Sequence, residues 1–248
     1  MTSEQTIALI TGANRGIGYE IAANLLRHSS KYHILLASRI LSSGQNAATT
    51  LSSLPDIKGS VEAIQLDVTS DSSVDAAAAY VSEKYGRLDI LVNNAGMFPK
   101  NPIRREALRS VLETNVVGSM SVTESFLPLL RESQEKRLVF VSSSVGSISQ
   151  AADPESKYYN PGAIEYRSSK AAVNMMLVQY WVALQKEGFK VLGADPGLCA
   201  TDFLNKEVVL ARGAVGADVG GERVAVVVRG ERDGEMGRVW GEYGLSPW

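Results

Sequence analysis

The chain has 248 residues, 45% hydrophobic and 21% charged, the balance of an ordinary globular protein and not of a disordered or fibrous one. With 25 Lys and Arg against 27 Asp and Glu, no positive surplus exists to drive binding to nucleic acid or to an anionic membrane. The one cysteine, Cys199, excludes an internal disulfide and any multi-cysteine zinc site, and no metal is expected.

The opening MTSEQTIALITGA lacks a basic stretch followed by an apolar run and a small-residue cleavage site, and no apolar run approaches the ~20 residues of a membrane span. A soluble, cytoplasmic protein is therefore expected. Apolar, β-branched runs then recur at Thr6–Ile10, His33–Ala37, Val61–Leu66, Leu88–Val92, Arg137–Val141 and Phe189–Ala194. Between them lie stretches with helical spacing, including Gly18–Arg27, Ser72–Tyr85, Arg105–Leu130 and Ser168–Glu187. The runs are too continuously apolar for half-exposed strands, so the alternation predicts an α/β fold: a parallel sheet covered by helices on both faces, in three layers. No Pro-, Gly- or Ser-rich linker divides residues 1–248, which predicts one domain. Beyond Asn205 the chain is rich in glycine; Val224–Val228 reads equally as helix or strand, and Arg238–Trp240 as a last strand.

Directly after the first strand comes Thr11-Gly12-Ala13-Asn14-Arg15-Gly16-Ile17-Gly18, followed by a helix. Glycines allow a sharp turn and a close approach to a pyrophosphate, which the free N–H groups and positive end of the new helix then meet. The second strand ends Ala37-Ser38-Arg39, without the carboxylate that usually meets a ribose 2′-hydroxyl. Arg39, together with Arg15 brought to the same pocket by the glycine loop, could instead pair with a 2′-phosphate, so NADP(H) is the expected cofactor. Two solvated surface arginines are the bland alternative. Asp67, before Val68 at the end of the third strand, is placed either to accept from an adenine amino group or to cap the next helix. Asn93-Asn94-Ala95-Gly96 ends the fourth strand at the same edge, where small or amide residues let backbone pass under a ribose, or simply make a turn.

Tyr166 and Lys170 lie four apart at the head of a predicted helix, on one face. A phenol there is a candidate proton donor, and the ammonium is expected to lower its ordinary pKa of ~10. Tyr80 and Lys84 repeat the spacing, but within the helix before the fourth strand and remote from the strand ends, which favours surface packing. The fifth strand ends Val141-Ser142-Ser143-Ser144-Val145-Gly146, delivering hydroxyls to the edge that carries the glycine loop; Ser147 and Ser149 read as turn residues. Asn115, polar on an apolar helix, either holds a water or serves packing.

In this order the motifs, from Thr11–Gly18 through Asn93–Gly96, Asn115, the serine run and Tyr166/Lys170 to Pro196-Gly197 with Thr201, resemble the short-chain dehydrogenase/reductase family. The match spans residues 6 to about 205. The resemblance implies a Rossmann-type seven-stranded sheet in the order 3-2-1-4-5-6-7, with Asn115, Ser143, Tyr166 and Lys170 as catalytic tetrad. It also implies that Pro196, Gly197 and Thr201 border the nicotinamide and its phosphate, with Gly12, Asn14, Arg15, Gly16, Ile17, Gly18, Ser38, Arg39, Asp67, Val68, Asn94, Ala95 and Gly96 along the rest of the cofactor. The segment Asp153–Pro161 resembles an insertion of the carbonyl-reductase-like branch, and with residues 97–104 and 201–220 it is expected to shape the substrate mouth. Gly146, three beyond Ser143, favours Ser143 over Ser144 as the catalytic serine.

The expected activity is NADPH-dependent reduction of a ketone or aldehyde to an alcohol. The substrate is a small carbonyl or alcohol compound, and monomer, dimer and tetramer all stay open. An NADP(H)-binding sensor or scaffold without useful turnover is the alternative, disfavoured because mere binding needs no proton donor. A serine hydrolase is poorer: His28 and His33 lie away from the serine edge and no Gly-x-Ser-x-Gly elbow exists.

Overall fold

The computed structural model describes residues 5–248; the first four, part of the opening read above for a leader, lie outside the described residues. The strands are β1 (Thr6–Ile10), β2 (Tyr32–Ser38), β3 (Ser60–Gln65), β4 (Ile90–Asn93), β5 (Arg137–Val141), β6 (Lys190–Ala194), β7 (Val239–Gly241) and β8 (Gly244–Leu245). They form one sheet in the order β3-β2-β1-β4-β5-β6-β7-β8, parallel except for β8, which returns antiparallel to β7. The expected order is present, extended by one strand that the sequence reading lacked.

Helices α1 (Gly16–His28), α2 (Leu41–Ser52), α3 (Asp71–Tyr85), α4 (Arg104–Leu112), α5 (Gly118–Arg131), α6 (Ile148–Ala152), α7 (Ile164–Leu184), α8 (Lys206–Ala211) and α9 (Ala217–Val228) complete the chain. Alternate residues of a strand face opposite sides, and β1 shows the consequence. Ile7 and Leu9 join a core with α3, α5 and α7, while Ala8 and Ile10 join a second core with α1, α2 and α9. Both faces are covered, which is why these strands read as unbroken apolar runs. Among the described residues no helix is long and apolar enough to cross a membrane.

Two helices differ from the sequence reading, and the tail settles an alternative that the sequence left open. The stretch expected as one helix over Arg105–Leu130 is interrupted by a π-helical turn, Glu113–Val117, between α4 and α5. One extra residue in that turn re-aims Asn115 without ending the helix. Helix α7 starts at Ile164, earlier than expected, so Tyr166 sits in its first turn. In the glycine-rich tail, Val224–Val228 is helix, the end of α9, and the last parallel strand starts at Val239. Arg137, 1% exposed, ties this tail to β5 through a two-pronged pair with Asp233 at 2.7 and 2.8 Å.

The strand order reverses between β1's two neighbours, β2 and β4. In such sheets the crevice outside the carboxyl ends of the strands at that point is where ligands bind. The glycine loop leaves β1 there, and Asn94–Gly96 leave β4 beside it.

Candidate active site

Thr11, at the end of β1, organises that crevice. Its hydroxyl donates to Val92 O and accepts from the N–H groups of Asn94 and Ala95 at 3.0 and 2.9 Å, while Asn94 Nδ2 donates to Thr11 O at 2.8 Å. The two loops are thereby stitched into one floor. Gly12 and Gly16 have φ of 64° and 59°, a left-handed conformation that side chains resist. Gly18 packs against Asn94, and Ile17 lies beside Gly220 of α9. Asn14, between the two left-handed glycines, is half-buried.

Helix α1 begins without any side-chain cap and without an acidic residue in its first turn. Its first N–H groups are free to meet an anion, and Thr201 faces Gly16 across the cleft, 3.7 Å from where a Cβ would stand. This cradle of N–H donors without a negative side chain fits a dinucleotide pyrophosphate.

At the adenosine end the picture is mixed. Arg39 is exposed just beyond β2, while Ser38 is buried and donates its hydroxyl to Ile40 O. Arg15, exposed in the glycine loop, has its guanidinium 3.7 Å from the equally exposed Asp202 in the loop after β6. Asp67 does not cap α3; its Oδ1 accepts from the N–H and hydroxyl of Thr69 at 3.0 and 2.8 Å, and Ser70 is the cap. Val68 is buried, packed against Gly118 at the start of α5.

The three serines after β5 have different surroundings. Ser142 is buried, its hydroxyl held by Asn174 Oδ1. Ser144 is buried too, bound to Asp195 Oδ2 and 2.9 Å from the Ser246 hydroxyl. Ser143 is half-exposed, and its hydroxyl accepts only a long bond, 3.4 Å, from Val145 N–H. Only Ser143 keeps its proton uncommitted for a ligand.

Lys170 is buried and donates to Val141 O at 2.8 Å, so it reaches back from α7 to the strand end that carries the serines; its ammonium lies 5.6 Å from the centre of the Tyr166 ring. The expected lowering of the phenol by this cation is not found. Burial and the Asp195 carboxylate raise the Tyr166 pKa. Burial instead lowers that of Lys170 to about 8, with Asp195 opposing. In a water-poor site both groups shift toward their neutral forms.

Asn115 has spent its amide on protein. Oδ1 accepts from Met97 N–H at 2.8 Å, and Nδ2 donates to Met97 O and to Ser169 Oγ at 3.1 and 3.0 Å. With these bonds the side chain fastens the loop after β4 to α7. The distant Tyr80 and Lys84 share Glu62 in a surface network, as their position suggested.

The mouth is closed in by aromatic rings that the motif reading did not single out. Phe98 and Phe203 lie 5.3 and 5.8 Å, centre to centre, from the Tyr166 ring. They come from two of the three loops expected at the mouth. The third, Asp153–Pro161, is anchored by Arg167 to the carbonyls of Tyr158 and Asn160. With the C-terminal hairpin it borders a cleft of about 230 Å³ lined by Ser144, Gln150, Lys157, Tyr158, Tyr243 and Ser246. Beyond β6, Gly197 adopts φ 79° and Pro196 O accepts from Arg223.

Comparison with known proteins agrees with this geometry. The family model described as short chain dehydrogenase matches residues 6–209. The short-chain dehydrogenase/reductase tropE of Talaromyces stipitatus is 33% identical over 96% of this chain and 95% of its own. NADPH-bound carbonyl reductase from chicken fatty liver superposes with a TM-score of 0.79 at 24% identity, covering 99% of this chain and 100% of that one. The 3-oxoacyl-[acyl-carrier protein] reductase of Brucella melitensis, in complex with NAD, does so with 0.81 at 22%, covering 97% and 96%. Sheet order, glycine loop and motif series, matched across four fifths of its length, make this chain a member of the short-chain dehydrogenase/reductase family and an NAD(P)-dependent oxidoreductase.

Proposed function

We propose that the protein reduces a ketone or aldehyde to an alcohol at the expense of NADPH, with Tyr166 as proton donor. One observation carries this reading: Tyr166 and Lys170 share a face of α7, and the Lys170 ammonium is bonded to the last carbonyl of β5, the strand that leads into the three serines of which Ser143 alone has an uncommitted hydroxyl. A bound nicotinamide supplies the hydride that adds to the carbonyl carbon. As that C–H bond forms, the Tyr166 O–H bond breaks and its proton moves to the carbonyl oxygen. Ser143 donates a hydrogen bond that orients this oxygen. Burial keeps the phenol protonated, the form a donor needs. Lys170 would use its remaining N–H groups to hold the nicotinamide ribose. Asn115 keeps Met97 and Ser169 in register around the pair.

Gly12, Asn14, Gly16, Ile17 and Gly18 would hold the pyrophosphate, with Pro196, Gly197 and Thr201 opposite. Asn94, Ala95 and Gly96 would lie under the adenosine ribose, with Ser38, Asp67 and Val68 about the adenosine and Arg39 on the 2′-phosphate. The alternative of a sensor or scaffold is weaker, because nucleotide binding alone gives no use to a half-buried phenol, a buried ammonium and a free hydroxyl gathered at one strand end. Initial rates with NADPH and NADH against ketones, quinones and aldehydes decide the matter. Arg39→Ala is expected to raise the KM for NADPH about tenfold and leave that for NADH unchanged, the loss of one charge-assisted bond. Equal effects on both nucleotides would remove Arg39 from the 2′-phosphate site.

The position of Lys170 adds a pH dependence. Its lowered pKa means the ammonium loses its proton as pH rises through about 8. Below that value the charge that holds the ribose is present, and above it the charge is lost. The kcat/KM for NADPH should therefore fall about tenfold per pH unit on the alkaline side, with a midpoint near 8. In Lys170→Met that limb should vanish.

A further inference from the structure

One buried carboxylate has no part in the mechanism above. Asp195 follows β6 and is 4% exposed. Its Oδ2 accepts from the N–H and the hydroxyl of Ser144 at 2.7 and 2.5 Å, and its Oδ1 accepts from Gly197 N–H at 2.8 Å. Its own N–H donates to Trp240 O at 2.8 Å, fixing the backbone from which the side chain projects. A single group thus fastens the turn after β5, which carries Ser143, to the turn after β6, which carries Pro196 and Gly197. Burying a carboxylate is costly unless its oxygens are bonded and cations stand near. Here three donors meet it.

The charged and titratable groups around it come from four elements. Tyr166 and Lys170 of α7 and Cys199 of its own loop lie within reach of its charge, while Arg223 of α9 and Glu242 of the turn between β7 and β8 flank the same loop at Gly197 and Cys199. Arg223 donates to Pro196 O at 3.0 Å and pairs with Glu242 at 3.0 Å, so its charge is shared, while Asp195 feels Lys170 across the site. We propose that Asp195 is a positioning residue. It holds the Ser143 hydroxyl against Tyr166 by pinning Ser144 and Gly197, and its negative charge, set beside the Tyr166 and Lys170 pair, favours carbonyl reduction over alcohol oxidation.

This inference rests on the reductase reading but goes further, because it assigns the bias in direction to one residue outside the four motif positions. In oxidation Tyr166 must accept a proton, and a nearby anion opposes the phenolate. Asp195→Asn keeps an acceptor and removes the charge. The acid-side midpoint of alcohol oxidation should then move down by about one pH unit, from a single charge acting through a site of intermediate dielectric. Reduction kcat should fall about tenfold with little change in the KM for NADPH, since the serine turn loses one tie. Ser144→Ala keeps the charge and the backbone bond, so kcat should fall several-fold with the midpoint unmoved. An unmoved midpoint in Asp195→Asn overturns the electrostatic part. An unchanged kcat in Ser144→Ala overturns the positioning part, and does so even where Asp195→Asn fails to fold. Wild-type protein that turns over no carbonyl overturns the parent reading, whereas active wild type with both variants unaltered overturns this inference alone.

Discussion

Tyr166→Phe is expected to lower carbonyl turnover by about 10²- to 10⁴-fold, the usual contribution of a placed general acid, while nucleotide binding stays within a factor of about two. The substitution removes one hydroxyl and keeps the ring, so the contacts with Phe98 and Phe203 persist and the first turn of α7 is undisturbed. Glu165, next in the chain, stays paired with Arg104 of α4 at 2.7 Å, which holds the head of the helix. What disappears is the proton alone. Steady-state turnover set beside NADPH fluorescence titration separates the two quantities. Turnover equal to wild type would remove Tyr166 from the chemistry and revive the sensor reading.

The second large effect is expected at Gly146, where the serine turn crosses α7. A Cβ at this position would stand 2.7 Å from the backbone carbon of Lys170 and 2.9 Å from the backbone nitrogen of Ala171. Those are atoms of a helix in mid-course and cannot swing away as a side-chain tip could. Gly146→Ala must therefore push the turn and the helix apart, an overpacking cost of about 1–3 kcal/mol, or a fall of several degrees in Tm for a chain of this size. Because Ser143 sits on the turn and Tyr166 and Lys170 on the helix, the same displacement opens the site, and kcat should drop by about 10²-fold. Gly234→Ala is the control: its Cβ would meet nothing within 4 Å, so stability and turnover should not move. A Gly146→Ala protein as stable and active as wild type would show that the contact between turn and helix is looser than this geometry.

The parts of the fold legible in the sequence are those where one local pattern has one cheap solution. Ala8-Leu9-Ile10 can hide its apolar side chains on both faces only inside a covered sheet. The glycines of 12–18 make a left-handed loop ahead of a helix accessible where other residues would resist it. Tyr166 and Lys170 share a face because helical geometry puts i and i+4 together. Ser143 is favoured by its spacing from Gly146, and Gly146 is where the turn touches α7.

What stayed hidden depended on partners distant in the chain. Asn115 sits in a π turn whose extra residue leaves no trace in apolar spacing, and its amide is matched to Met97 and Ser169, the latter 54 positions away. The Asp195 carboxylate, beside Pro-Gly in the chain, shows its use only when β5 and β6 pair and bring Ser144 onto it. Phe98 and Phe203 become neighbours of Tyr166 only when two separate loops meet the head of α7.

The pKa of the phenol makes the same division. That a tyrosine and a lysine would meet was written in their spacing, and so were the strand order's raw material and the phosphate loop. Whether that phenol would be pulled down by the ammonium or pushed up by burial and Asp195 was decided by tertiary structure alone. Desolvation and the field of a remote carboxylate are properties of the folded interior, which no local pattern of residues encodes.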